Sequence, residues 1–170
     1  MRKLKQKKGF TLIEMLACTV TLILIGLICS TGMNLATMSL RESTFESDSQ
    51  MLESTLNMYL SDILRYSSEV KSDTDGTVIS FTSDAYYIDE GNFVIEDGYL
   101  LCTSTLALEG TKGIMIANEG VYANTLFIKE FALEYDSAKG VFTGSYVIAS
   151  NVTDSTKTCE FSFRKITRVS

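Results

Sequence analysis

One carboxylate heads a long apolar run. Glu14 is followed by 26 residues, Met15 to Leu40, that carry no charge, and it is preceded by Arg2, Lys3, Lys5, Lys7 and Lys8 with no acid among them. A charged group just inside a membrane-length segment is unfavourable, least so at the interface, and usually has a partner. Thr11 is the nearest one. Thr11 and Glu14 have the spacing of a capping box, and a carboxylate in the first helical turn is favoured by the helix dipole.

Other reactive residue types are sparse. The chain has no His, Trp or Pro, which removes His-based triads, His metal ligands and imidazole acid/base chemistry. The acidic pairs Asp73/Asp75, Asp89/Glu90 and Glu96/Asp97 mostly adjoin glycines and read as turns. The first and third would suit calcium, since hard cations take several oxygen ligands, but turn solvation is the simpler reading. We expect no enzyme activity, no cofactor and no bound metal. The sequon Asn151, Val152, Thr153 reads as a surface turn.

Four cysteines fall into two environments. Cys18 and Cys29 lie in the apolar run, 11 residues apart and so near one helix face, where buried free thiols are the default. Cys102 and Cys159 fall in predicted strands. A bridge between them would close a loop of more than fifty residues and add up to about 4 kcal/mol in the chain-entropy picture. Spacing leaves that bridge open.

These residues need elements to hold them. The uncharged run exceeds the roughly 20 residues that cross a bilayer as a helix. The five basic residues before it predict a cytoplasmic N-terminus, with the rest of the chain outside. Beyond it, Leu40, Phe45, Leu52, Leu56, Tyr59, Leu60, Ile63 and Leu64 recur at helical spacing, which predicts an amphipathic continuation to about Val70. Gly26 and Gly32 suit close helix contacts or local bending.

After Gly76 the period changes to two. Short strands are predicted at 78–82, 86–88, 93–95, 99–102 and 114–117, and longer ones at 126–135, 141–149 and 158–166. Asp97 and Gly98 predict a tight hairpin. Phe127, Phe131, Leu133 and Tyr135 should share one face, as should Cys159, Phe161 and Phe163. The expected class is α+β, with a long N-terminal helix on a C-terminal antiparallel sheet. Its parts are residues 1–9, a basic leader; 10–40, a membrane helix; 41–72, its amphipathic continuation; and 73–170, a β-rich domain.

Residues Lys8 to Leu16, KGFTLIEML, resemble the processing motif of type IV prepilins and of the related pseudopilins of type II secretion. The family pattern is a basic leader ending in glycine, then an aromatic residue, Thr, two aliphatics and Glu; here it reads Gly9, Phe10, Thr11, Leu12, Ile13, Glu14. The likeness covers residues 1 to about 40 and leaves the C-terminal domain unidentified. A helix-breaking Pro often found after the Glu in the family is missing here.

The resemblance implies a type IV pilin-like fold and an assembly mechanism. A prepilin peptidase would cut between Gly9 and Phe10 and N-methylate Phe10, and a residue without a side chain before the cut lets a protease approach closely. Glu14 would then pair with the N-terminal amine of a neighbouring subunit and set axial register, a role that coexists with capping. Implied partners are other pilin or pseudopilin subunits, membrane lipid before assembly, an assembly ATPase and a membrane platform protein. Removing the five leader charges leaves ten of the 15 basic side chains against 21 acidic ones, a balance of −11. No direct nucleic acid binding is expected of so acidic a domain. Alternatives are a signal-anchored extracellular binding domain, which would keep its leader, and a filament-tip adhesin.

Overall fold

The computed structural model describes residues 11–105 and 113–166. The chain divides into two compact units, Met1–Arg41 and Glu42–Ser170, and helix α1, Leu12–Arg65, contributes to both.

In the first unit every described residue is exposed. Leu12, Ile13, Met33 and Leu40 are each about two-thirds exposed or more, a surface that water would not tolerate uncovered. The helix is long and apolar enough to cross a membrane. Its threonine hydroxyls are satisfied by the helix's own backbone. Thr19, Thr21 and Thr37 donate back to the carbonyls of Leu16, Ala17 and Met33 at 2.7 to 2.8 Å, as a polar group in a lipid-facing helix must. An added Cβ at Gly26 or Gly32 would meet nothing within 4 Å, so no contact among the described residues requires either glycine.

In the second unit the helix buries Phe45, Ser49, Leu52, Leu56, Leu60, Ile63 and Leu64, the stripe expected from spacing. It stops at Arg65, short of the predicted end near Val70. The Ser67 hydroxyl donates to the Leu64 carbonyl at 2.9 Å, occupying an acceptor of the last turn. Ser68 N–H then bonds the Thr82 carbonyl at 2.8 Å, and the chain continues as β1, Glu69–Ser72. Val70 is half-buried against the core as a strand residue.

The strands form two antiparallel sheets where one was expected. The first joins β1, β2 (Val78–Ser83), β3 (Ile88–Glu96), β4 (Tyr99–Thr103) and β5 (Ile114–Met115) in that order, and the second joins β6 (Leu126–Asp136), β7 (Val141–Ser150) and β8 (Thr156–Arg164). Turns of the first sheet are bonded to β6: Ile128 N–H donates to the Gly98 carbonyl at 2.7 Å and Tyr135 N–H to the Gly76 carbonyl at 2.8 Å. Aromatic rings continue the join, Phe81 to Phe93 to Phe131 to Phe161, with centroids 5.1, 5.4 and 6.2 Å apart. Such pairs contribute beyond their buried area.

Asp97 and Gly98 form the predicted hairpin, both with positive φ (51° and 83°), as a primed two-residue turn demands. Two other expectations are corrected. Residues 84–86 form a single 3-10 turn, Asp84–Tyr86, and Tyr87 adopts φ 54° before β3 begins at Ile88. In β6 the register slips between Ile128 and Glu130, so the extra residue Lys129 makes a bulge. Ile128 thereby shares the inner face with Phe131 and Leu133, and Phe127 turns away from them.

Candidate functional site

The start of α1 is a complete capping box. Thr11 donates from both its backbone N–H and its hydroxyl to Glu14 Oε2, each at 2.9 Å, and Glu14 N–H points back to Thr11 Oγ1 at 3.4 Å. Two backbone donors of the helix start, the N–H groups of Thr11 and Glu14, are thus met by side chains. Among the described residues both bonds fall on Oε2. Glu14 is exposed and is the sole charge between Thr11 and Leu40. The expected cleavage pair Gly9 and Phe10, and Phe10 as methylation position, lie outside the described residues.

A second polar cluster lies where the helix of the second unit meets β8. Lys157 Nζ is 3.1 Å from Glu53 Oε2 and 3.3 Å from Glu46 Oε1, and Gln50 Nε2 donates to Glu46 Oε1 at 2.8 Å. The bonds from Gln50 and then Lys157 hold the Glu46 carboxyl below its ordinary range. Burial opposes the charge of Lys157, but its bonds to Glu53 and Glu46 outweigh that and raise the ammonium. The buried Tyr146 hydroxyl donates to the Glu53 carbonyl at 3.3 Å and to Asn57 Oδ1 at 3.1 Å. Sequence reading missed this cluster because Lys157 precedes the predicted strand start at Thr158; only its two-residue offset from Cys159 marks it as inward.

Cys102 and Cys159 stand as separate thiols, both buried, one in β4 and the other in β8 of the second sheet. Burial pushes Cys102 up to about 12, and burial together with the neighbouring Glu53 pushes Cys159 up to about 11. Neither is an activated nucleophile, since the thiolate is the reactive form. Cys18 and Cys29 are free and exposed on the apolar helix.

The acidic pairs serve turns. Asp73 accepts from Thr74 N–H at 2.7 Å, Glu90 pairs with Lys71 at 2.6 Å, and Asp97 sits in the hairpin. Among the described residues no group of three or more potential ligands could hold a metal ion. The hollow of about 560 Å³ beside Asp73, Asp75, Glu134 and Asp136 is polar and open, and within it the Thr74 hydroxyl donates to Asp73 Oδ1 at 3.1 Å.

No family model, curated protein or solved structure matches the chain. The chemistry concentrated at Thr11 and Glu14 therefore carries the functional argument.

Proposed function

We propose that the chain is a prepilin whose mature form is a structural subunit, a minor pilin or pseudopilin, of a type IV pilus or a type II secretion-like pseudopilus. One observation carries this reading: a lone carboxylate, preceded by Gly9-Phe10-Thr11 and a basic leader, in the first turn of a helix that then carries no charge from Met15 to Leu40. The chain is stored in the bilayer as a single-span protein with its N-terminus in the cytoplasm. Prepilin peptidase cuts after Gly9 and methylates Phe10, and an ATPase-driven platform draws the subunit out to join others of its kind. Glu14 then pairs with the amine of a neighbouring subunit, and exclusion of water strengthens that attraction. The α+β architecture is compatible with a pilin-like layout.

Intact-mass and N-terminal analysis of the chain expressed with and without a prepilin peptidase tests this. A mature protein starting at methylated Phe10 only with the peptidase supports it. Retention of Met1 to Gly9 in both cases, with the peptidase active on another substrate, replaces it by the signal-anchored binding domain.

A further inference from the structure

The border strand β8 leaves part of its backbone without a partner. Bonds at the two ends of its ladder with β7 fix which part: Lys165 N–H donates to the Gly140 carbonyl at 2.9 Å and Ser150 N–H to the Ser155 carbonyl at 3.2 Å. Bonding residues alternate along an antiparallel pair, so with Val141 opposite Arg164 and Ala149 opposite Thr156 the odd-numbered residues of β8 face β7. The N–H and C=O groups of Thr158, Glu160, Ser162 and Arg164 point to the other side, where no further strand lies among the described residues. The side chains of these four are exposed as well.

The order of the four is self-complementary. A second β8 laid antiparallel along this edge and centred on Ser162 sets Glu160 of each copy opposite Arg164 of the other. On the inner face it sets Phe161 opposite Phe163, which is only partly buried in its own chain. Centring on Glu160 sets that carboxylate against itself, centring on Phe161 sets Lys157 against Lys165, and centring on Phe163 sets Glu160 against Ile166. Unlike charges directly opposite stabilise a strand pair and like charges destabilise it, so the register about Ser162 is selected. Among the described residues neither Glu160 nor Arg164 has an ion-pair partner in its own chain, and the pairing breaks no existing bond.

The contact also has a direction. Lys157 meets Glu46 and Glu53 and Ile166 N–H bonds the Arg65 carbonyl at 2.9 Å, so β8 runs the same way as the helix segment beside it. Antiparallel pairing reverses one copy against the other. Copies aligned in one direction cannot make it; copies meeting from opposed directions can.

We propose that the free edge of β8 binds the same edge of a second copy of this chain, antiparallel about Ser162, joining two three-stranded sheets into one. Such a contact is isologous and closes on itself. The inference rests on the second unit and not on the filament reading.

Sedimentation equilibrium of the full chain in density-matched detergent tests this, with Glu160→Arg, Arg164→Glu and an equimolar mixture of the two variants. A reversible dimer is expected for the unaltered chain. Each single variant should raise its dissociation constant about tenfold, and the mixture should return it to the original value, because both charge pairs re-form in the mixed dimer. The chain carries a net charge of −6, so general electrostatics would tighten association in Glu160→Arg, the opposite result. Glu130→Arg, at an exposed position of β6, should not weaken the dimer. A monomer at every concentration overturns the proposal. So do dimers as tight in both single variants as in the unaltered chain, since the copies would then meet elsewhere, and so does a mixture that stays as weak as its components.

Discussion

The Phe161 ring lies across Gly144, its cross-strand partner between β7 and β8. An added Cβ at Gly144 would sit 2.5 Å from Phe161 Cζ and would press on the Ala132 carbonyl oxygen of β6 from the other side. The ring could yield, but the backbone oxygen could not. Gly144→Ala should lower stability by about 1–3 kcal/mol, as overpacking does, read from the urea midpoint of the full chain in detergent. Adding Phe161→Leu should restore only part of the loss.

The two roles of Glu14 separate in one substitution. Glutamine serves in a capping box as glutamate does, so Glu14→Gln keeps the helix start and removes the charge, whereas Glu14→Ala removes both. If the prepilin reading holds, both variants should be processed to the mature mass and neither should appear in sheared filaments. Recovery of Glu14→Gln filaments at the level of the unaltered chain would show that capping suffices.

The Tyr146 hydroxyl joins β7 to the helix through Glu53 and Asn57. Tyr146→Phe keeps the buried ring and leaves those acceptors short of a donor. The expected loss is about 0.5–1.5 kcal/mol, measured by the same urea titration, with no change in the denaturant slope.

The thiols set an alkaline limit. Cys102 and Cys159 are raised from 9.0 to about 12 and about 11 by burial, so the folded chain keeps protons that the unfolded chain releases. Their contribution to stability is fully present below about pH 9 and is lost as pH rises towards 11 to 12. Stability should fall between pH 9 and 11, and Cys102→Ala should flatten that decline. Iodoacetamide at pH 8 should leave both thiols unmodified until urea is added, and peptide mapping after air oxidation should find them unlinked.

Periodicity made the main elements legible. The 3-4 spacing from Phe45 to Leu64 and the alternation in β7 and β8 depend on neighbours in sequence, and so does the Asp97–Gly98 turn. What escaped depends on distant partners. Helix and strand compete for Glu69 to Ser72, and Thr82 on β2 decides for the strand. The bulge at Lys129 lets Ile128 and Phe131 both point inward, which strict alternation forbids. At the candidate site, the Thr11–Glu14 bonding was readable from spacing alone. The Lys157 cluster was not, because Glu46 lies 111 residues away in sequence.

Lys157 also bears on the border of its sheet. β8 is a nine-residue strand at the border of its sheet, and such a border invites any extended chain to add on. A charged side chain pointing inward from it anchors one alignment. Sliding β8 by a single residue would turn Lys157 to solvent and Glu160 inward, stripping Glu46 and Glu53 of their counterion. The ion pairs of Lys157 with Glu46 and Glu53 therefore hold this border strand in a single register.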